Sequence, residues 1–208
     1  MKTKLKTMLV VLVALLLSAL LLTGCMDKEE NVQTPSNNQE ESVNSTEETD
    51  LPAVNSEITA ETEGYTTYTY GDDNIQFSYP DTWVSVGTDD TPLFLDNNGT
   101  GTSAGIVKEE IPSSISFDGY IEAAKIQVKS QLTVEGDINQ EKINLNGREA
   151  YQLSYVAKSD EDNTVSILQT IIKEDNTVYA LTVGTLQDNY EDLKETIETI
   201  SASLRKGE

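Results

Sequence analysis

The sequence predicts an antiparallel α+β sandwich in residues 64–208. Three observations carry this prediction. All aromatic residues lie between Tyr65 and Tyr190, short segments of alternating polarity recur between turn residues, and two longer segments keep the three- and four-residue spacing of a helix. A stretch of this length has the size of one domain, so we expect a single folded unit.

The first elements are predicted to be a hairpin and a second strand pair. Tyr65 to Tyr70 is rich in Tyr and Thr and ends at the turn formed by residues 71–74, after which apolar and polar residues alternate up to Tyr79. Pro80 suits a type I turn that leads into extended chain at Trp83 to Val86. The next pair of strands, Leu93 to Leu95 and Ala104 to Glu109, flanks a loop rich in Asn, Gly and Thr.

A helix is predicted over residues 116–134, with Ser116 as its N-cap. Its apolar residues share one side, which we expect to face the core: Tyr120, Ile121, Ala124, Val128 and Leu132.

Four strands are predicted after Gly136, the first of which carries Ile143 and Leu145. Asn146-Gly147 is a strong hairpin signal, and the residues that follow it place Tyr151, Leu153, Tyr155 and Ala157 on one face. Val165 to Lys173 and Thr177 to Thr185 form the next pair, and the second of these is apolar on both faces, which favours a central position in the sheet.

The terminal helix is predicted over residues 188–205. Asp188 and Glu191 have the spacing of an Asp-based capping box. The side chains expected to point inward are Tyr190, Leu193, Ile197, Ile200 and Leu204.

The segment Tyr70 to Trp83 resembles the opening of PsbP-like domains, in which a strand reads F-x-Y-P-x-x-W. Phe77, Tyr79, Pro80 and Trp83 carry this resemblance, and the later order of helix, meander and helix is similar. The resemblance implies an α/β/α sandwich with a mainly antiparallel central sheet flanked by helices. It also implies a noncatalytic accessory or binding role. The chain has no histidine, so a histidine-dependent metal site of a relative is not transferred to it.

The N-terminus resembles a bacterial lipoprotein signal peptide over residues 1–24. Lys2, Lys4 and Lys6 precede an uncharged run from Met8 to Leu22, and Leu22-Thr23-Gly24-Cys25 then reads as a lipobox. The run is shorter than the roughly 20 apolar residues that a spanning helix needs, and acidic residues rather than basic ones follow it. We therefore expect cleavage between Gly24 and Cys25.

Cys25 is the predicted site of lipidation. It is the only cysteine, so it has no partner for an intrachain disulfide. Two or more acyl chains, palmitate among them, would give stable anchoring, whereas one chain holds only marginally. The predicted location is the extracytoplasmic face of the cell membrane, held there through the N-terminal lipid.

Residues 25–63 are predicted to form an acidic, disordered tether. Residues 27–63 contain eleven acids and a single lysine, with no aromatic residue. A flexible chain of this length reaches roughly 35 Å, and charge repulsion extends it further. Removal of residues 1–24 takes away three lysines and no acid, which moves the formal charge from −22 to −25. Such a surface repels nucleic acid and anionic lipid headgroups, so nucleic acid is not an expected partner.

The sequence marks no catalytic site, and we expect no enzyme and no cofactor. Without histidine, the usual general base of Ser and Cys hydrolases is missing. Asp96 to Gly101 has oxygen ligands at the first positions of a calcium loop, but Val107 stands where that loop requires Glu. Asp160 to Asn163 also concentrates oxygen atoms without a defined spacing. Turn chemistry is the favoured interpretation of both, so no metal site is assigned.

Trp83, Tyr68 and Tyr70 are the remaining candidates for ligand contact, and core packing is the favoured interpretation. The function expected overall is a membrane-anchored accessory or protein-binding domain with a protein partner in the cell envelope. The alternative is a lipoprotein that binds a small ligand or a cation and assists transport.

Overall fold

A computed structural model describes Ala53–Val54, residues 63–159 and residues 163–207. Within these residues the chain forms strands, two α-helices and one short 3₁₀ helix. In chain order they are β1 (Ala53–Val54), β2 (Tyr65–Tyr70), β3 (Ile75–Pro80), β4 (Val84–Ser85), β5 (Leu93–Leu95), β6 (Ser103–Glu110), α1 (Phe117–Gln131), β7 (Val134–Leu145), β8 (Arg148–Lys158), β9 (Thr164–Glu174), β10 (Thr177–Leu186), the 3₁₀ helix (Gln187–Asn189), α2 (Tyr190–Ala202) and β11 (Arg205–Lys206).

The main sheet has eight strands in the order β1-β7-β8-β9-β10-β6-β5-β4. Every pair is antiparallel except β1 with β7, which is parallel. β10 lies between β9 and β6, as its two apolar faces predicted. The antiparallel α+β fold is therefore confirmed.

Two apolar layers cover the two faces of the main sheet. On one face, α1 places Tyr120, Ile121 and Val128 against the β-sheet side chains of the first core. On the other, α2 and a small sheet in the order β11-β3-β2 enclose a second core that contains Phe77 and Ile200. Alternate residues of β10 enter different cores, which is why that strand is apolar on both sides.

The hairpin between β7 and β8 turns at Asn146 and Gly147. Their φ angles are 51° and 83°, so both residues lie in the left-handed region that a type I′ turn requires. Asn and Gly are the residues that occupy this region at least cost, and the predicted hairpin is confirmed.

Each of the two helices has bounds that differ from the predicted ones. Ser116 caps α1 by accepting a hydrogen bond from the Gly119 amide at 3.1 Å, as predicted, but the helix ends at Gln131 and β7 begins at Val134. The predicted helix to residue 134 is too long because the backbone becomes extended at Leu132, and the β-branched Thr133 leads into β7 at Val134.

The predicted capping box of the terminal helix is wrong. Residues 187–189 form a 3₁₀ turn, α2 begins at Tyr190, and its N-cap Asn189 makes no side-chain capping bond. The side-chain amide of Asn189 instead donates to the backbone carbonyl of Thr100 at 2.7 Å. This contact with a distant loop replaces the local cap, and it ties the start of α2 to the β5–β6 connection.

One regular element falls inside the segment for which the sequence predicts a disordered tether. β1 pairs in parallel with the end of β7, with Ala53 opposite Asn144 and Val54 opposite Leu145. The rest of residues 1–62 lies outside the described residues, and so do the predicted signal peptide and Cys25.

Candidate functional site

The residues that carry the F-x-Y-P-x-x-W pattern belong to an aromatic cluster between the small sheet and β5. The Phe77 ring lies 5.5 Å from Phe94 and 5.8 Å from Tyr68, both in edge-to-face geometry. Tyr79 lies 4.1 Å from Phe94. The two Phe77 spacings are those of attractive edge-to-face pairs, so the pattern describes the interior of the domain.

The three aromatic residues singled out in the sequence pack in this second core. Trp83 and Tyr70 are each 8% exposed, and Tyr68 packs at the margin of the cluster. The Tyr70 hydroxyl donates to the Asp90 carbonyl at 3.2 Å, and burial raises the pKa of both tyrosines. Trp83 and Tyr70 therefore serve packing, as the sequence favoured, and Tyr68 leaves one edge of the cluster partly open.

The loop that opens at Asp96 is closed by its own hydrogen bonds. The Asp96 carboxylate accepts from the Asn98 amide nitrogen and side chain, each at 3.0 Å, and from the Thr100 hydroxyl at 2.6 Å. Val107, at the position where a calcium loop needs Glu, is buried in β6. The oxygen atoms of this loop are thus used in turn contacts, which is the interpretation that the sequence favoured.

Asp160, Glu161 and Asp162 lie outside the described residues, as do Gly24 and Cys25. In the part of the chain that the structure describes, no group of three or more Asp, Glu or Cys side chains is placed to hold a metal ion. Among the same residues, no helix is long and apolar enough to cross a membrane.

An open cleft of about 390 Å³ lies where β7, β8 and β9 meet the start of α2. Its rim carries the acidic side chains Glu135, Asp137 and Glu191, and its floor includes Ser154 and Leu168. A wide cleft of mixed polarity with a negative rim can accept a positively charged or polar surface.

A buried carboxyl group lies on the opposite face of the main sheet. Glu109 of β6 is 8% exposed, and it accepts a hydrogen bond from the Tyr120 hydroxyl of α1 at 3.0 Å. Burial raises the pKa of Glu109, and the bond from Tyr120 offsets part of that effect. No ion pair among the described residues includes Glu109.

Sequence reasoning missed Glu109, although a signal for it is present. Gly105, Val107 and Glu109 alternate along β6, so the period of two residues places all three on the face that α1 covers. Acids are frequent in this chain, so a single carboxylate near the end of a strand does not stand out in the sequence.

We expect Glu109→Gln to stabilise the domain at neutral pH. The pKa of Glu109 is higher in the folded than in the unfolded state, so its contribution to stability is full below the unfolded pKa and is lost as the pH rises through the folded pKa. Gln at position 109 carries no charge at any pH, so the gain should grow as the pH rises through the folded pKa of Glu109, and each kcal/mol gained raises Tm by about 2–4 °C. The measurement is Tm of both proteins between pH 4 and pH 8.

The control for this prediction is Glu110→Gln, since Glu110 is the exposed neighbour on the same strand. The difference in Tm between Glu109→Gln and wild type should shrink toward zero near pH 4, where position 109 is neutral in both proteins. A gain that is independent of pH, or a loss at pH 7.5, would contradict the assigned burial of a charged form.

The comparison with known protein families decides what kind of domain this is. The model of the PsbP family matches residues 63–206, which include the aromatic cluster and both α-helices. The chain belongs to the PsbP family. Its fold agrees with that assignment: the solution structure of cyanobacterial PsbP (CyanoP) from Synechocystis sp. PCC 6803 superposes with a TM-score of 0.55 at 20% identity, over 70% of this chain and 94% of that one.

Other structures similar to this PsbP domain come from Pseudomonas aeruginosa and Mycobacterium tuberculosis. PA94 of Pseudomonas aeruginosa, described as a putative regulator of unknown function, has a TM-score of 0.49 at 18% identity, over 69% of this chain and 98% of its own. LpqN of Mycobacterium tuberculosis, described as involved in cell envelope biogenesis, has a TM-score of 0.43 at 18% identity, over 66% and 87%. A search of curated proteins returned no match.

Proposed function

We propose that this chain is a lipid-anchored protein of the extracytoplasmic membrane face, whose PsbP domain acts as a noncatalytic accessory or protein-binding module. The order of segments carries the proposal: a lipobox ending at Cys25, an acidic segment, and then one PsbP domain. A signal of this kind sends the chain out of the cytoplasm and supplies a lipid in place of a spanning helix.

The surface of the domain supports a binding role. Most of its large hydrophobic side chains fill two cores, and Val84, Val86 and Ile126 are the large apolar side chains that stay exposed among the described residues. The remaining exposed side chains are mainly polar and acidic. The open cleft beside α2 has a negative rim and a floor of mixed polarity, which suits contact with another macromolecule more than enclosure of a small one. A protein partner in the cell envelope is therefore the expected ligand.

Crosslinking in intact cells tests the proposal. The full chain with a C-terminal affinity tag is crosslinked and purified from membranes under denaturing conditions. We expect one envelope protein to be captured through residues 63–207. The matched control keeps residues 1–62 and replaces the PsbP domain with an unrelated folded domain of similar size.

The control decides between the domain and the anchor. Capture that depends on the PsbP domain supports a binding module. If the chain with the replaced domain captures the partner equally well, membrane location alone selects the partner. If nothing is captured above background, the domain has no protein-binding role. Either result contradicts the proposal.

A further inference from the structure

β2 differs from every other strand at the margins of the two sheets. The margins of the main sheet are β1 and β4, and those of the small sheet are β11 and β2. β1, β4 and β11 are two residues long, whereas β2 has six residues with no charge and no proline. A regular, uncharged edge of this length is the kind that pairs with another chain.

The edge of β7 shows how this protein blocks strand addition elsewhere. β1 covers only its last two residues. In the described part of the chain the rest of β7 has no further strand partner on this side. It contains a register shift between Glu135 and Asn139, with Gly136 at φ 77°, and it carries the exposed acids Glu135, Asp137 and Glu141. Bulges and charges are standard protections of an edge, and β2 has neither.

The backbone groups of β2 that face outward can be identified from its neighbours. The Ser78 amide of β3 donates to the Ser203 hydroxyl at 2.8 Å, on the side of β3 that pairs with β11. Because the groups of successive residues point to opposite sides of a strand, Phe77 and Tyr79 direct their backbone groups at β2. Their partners are Tyr68 and Thr66.

It follows that Tyr65, Thr67 and Thr69 direct their N–H and C=O groups away from β3, at the free edge. The bond from the Asp81 amide to the Gly64 carbonyl at 3.0 Å agrees with this alternation. In the described part of the chain no further strand pairs with β2. This set of three residues is called the β2 edge below.

Acidic residues surround the β2 edge. Glu63 precedes the strand, Asp72 follows it, and Asp81 is bonded beside its start. The Tyr70 hydroxyl donates to the backbone carbonyl of Asp90, and the charge of Asp89 adds to the effect of burial in raising the pKa of Tyr68. Both contacts place the 86–92 loop alongside the strand. Among the described ion pairs, only Asp73 of the adjoining turn is engaged, with Lys108.

We propose that the β2 edge is a docking site for an extended, positively charged segment of a partner protein, which adds to the small sheet as a further strand. Backbone hydrogen bonds to the β2 edge hold the segment, and the surrounding acids select one rich in Lys or Arg. The formal charge of −22 disfavours a second copy of this chain as the occupant. The proposal names the surface and the partner chemistry for the protein-binding role proposed above, and so rests on that role.

The probe for this site is an eight-residue peptide, blocked at both ends, in which lysine alternates with valine and threonine. We expect it to bind the PsbP domain of the full chain, measured by fluorescence anisotropy, with an affinity that falls as salt rises. We also expect it to slow the hydrogen exchange of the Thr67 and Thr69 amides. The same peptide with glutamate in place of lysine should not bind.

The decisive variants are Thr69→Pro and Thr69→Val. Proline removes an outward N–H that no described strand uses, so it leaves the β2–β3 ladder intact and should weaken peptide binding at least tenfold. Valine keeps the N–H, so its affinity should stay within about twofold of wild type. Circular dichroism of both variants checks that they fold.

The same test can be made on the wild-type protein with peptides in which every second backbone amide is N-methylated. Methylation in the register that faces β2 should abolish binding, and methylation in the other register should not. Equal binding by Thr69→Pro and Thr69→Val, binding of the glutamate peptide, or protection of the Thr67 amide in the free protein would overturn the proposal. The last result would mean that another segment of this chain already covers the edge.

Failure here and failure of the proposed function are distinguishable. If the lysine peptide does not bind at about 1 mM while crosslinking still captures an envelope partner through residues 63–207, the β2 edge is not the docking site and the binding role stands. If the lysine peptide does not bind and crosslinking captures no envelope partner, the docking site and the protein-binding role are both wrong.

Discussion

Cys25→Ser should release the protein from the membrane almost completely. The hydroxyl does not accept the diacylglycerol that the thiol takes, so the chain loses the acyl chains that anchor it, and the loss of two chains converts stable binding to none. The measurement is the fraction of protein that sediments with membranes, together with uptake of labelled palmitate. Wild type should sediment and take up label, and the variant should do neither.

Ser45→Ala is the control for this experiment, because Ser45 lies in the acidic segment outside the lipobox and its flanks. It should behave as wild type in both assays. A Cys25→Ser protein that still sediments, paired with a wild type that takes up no lipid, would show that the N-terminal run holds the chain by another means and would overturn the lipobox interpretation.

Phe77→Ala should strongly destabilise the PsbP domain. Phe77 has no exposed surface and contacts the rings of Tyr68, Tyr79 and Phe94. Its truncation leaves a cavity between the small sheet and β5, and large-to-small changes of buried phenylalanine cost about 3–5 kcal/mol. Urea unfolding at equilibrium measures the loss as a lower midpoint with an unchanged slope.

Phe77→Leu is the matched variant, since leucine fills most of the space and loses only the ring contacts. We expect it to lose less than half as much stability as alanine does. If alanine cost under about 1 kcal/mol, the aromatic cluster would not be the support for the small sheet, and the F-x-Y-P-x-x-W pattern would need another explanation.

The local features of the fold could be predicted because they are encoded within a few residues. The Asn146-Gly147 turn, the Ser116 cap and the alternation in β10 each depend on neighbouring positions, and all three are present in the structure. The period of two residues also placed the apolar side chains of β8 on one face correctly.

The features that could not be predicted depend on distant contacts. Asn189 is drawn to the Thr100 carbonyl, and this removed the expected capping box. β1 pairs with residues some ninety positions further along the chain, which no local pattern reports. The alignment of Ser203 with β3 is likewise tertiary, and it was needed to assign which groups of β2 face outward.

Some candidate sites could be assigned from local sequence, and others depend on distant contacts. Residue type and local spacing were enough to assign Trp83 to the core and the Asp96 loop to turn contacts. The cleft beside α2 and the β2 edge exist only once strands from different parts of the chain are assembled, so neither could be found by scanning for motifs.

The pairing of β1 with β7 has a mechanical consequence. A pull on the N-terminal segment loads a two-residue ladder at the sheet edge before any force reaches the two cores. Among the described residues the next paired element is β2, which begins at Tyr65. Separation of β1 from β7 would therefore let the point of pull move away by up to roughly 30 Å, at about 3.3 Å per residue, while both cores stay folded.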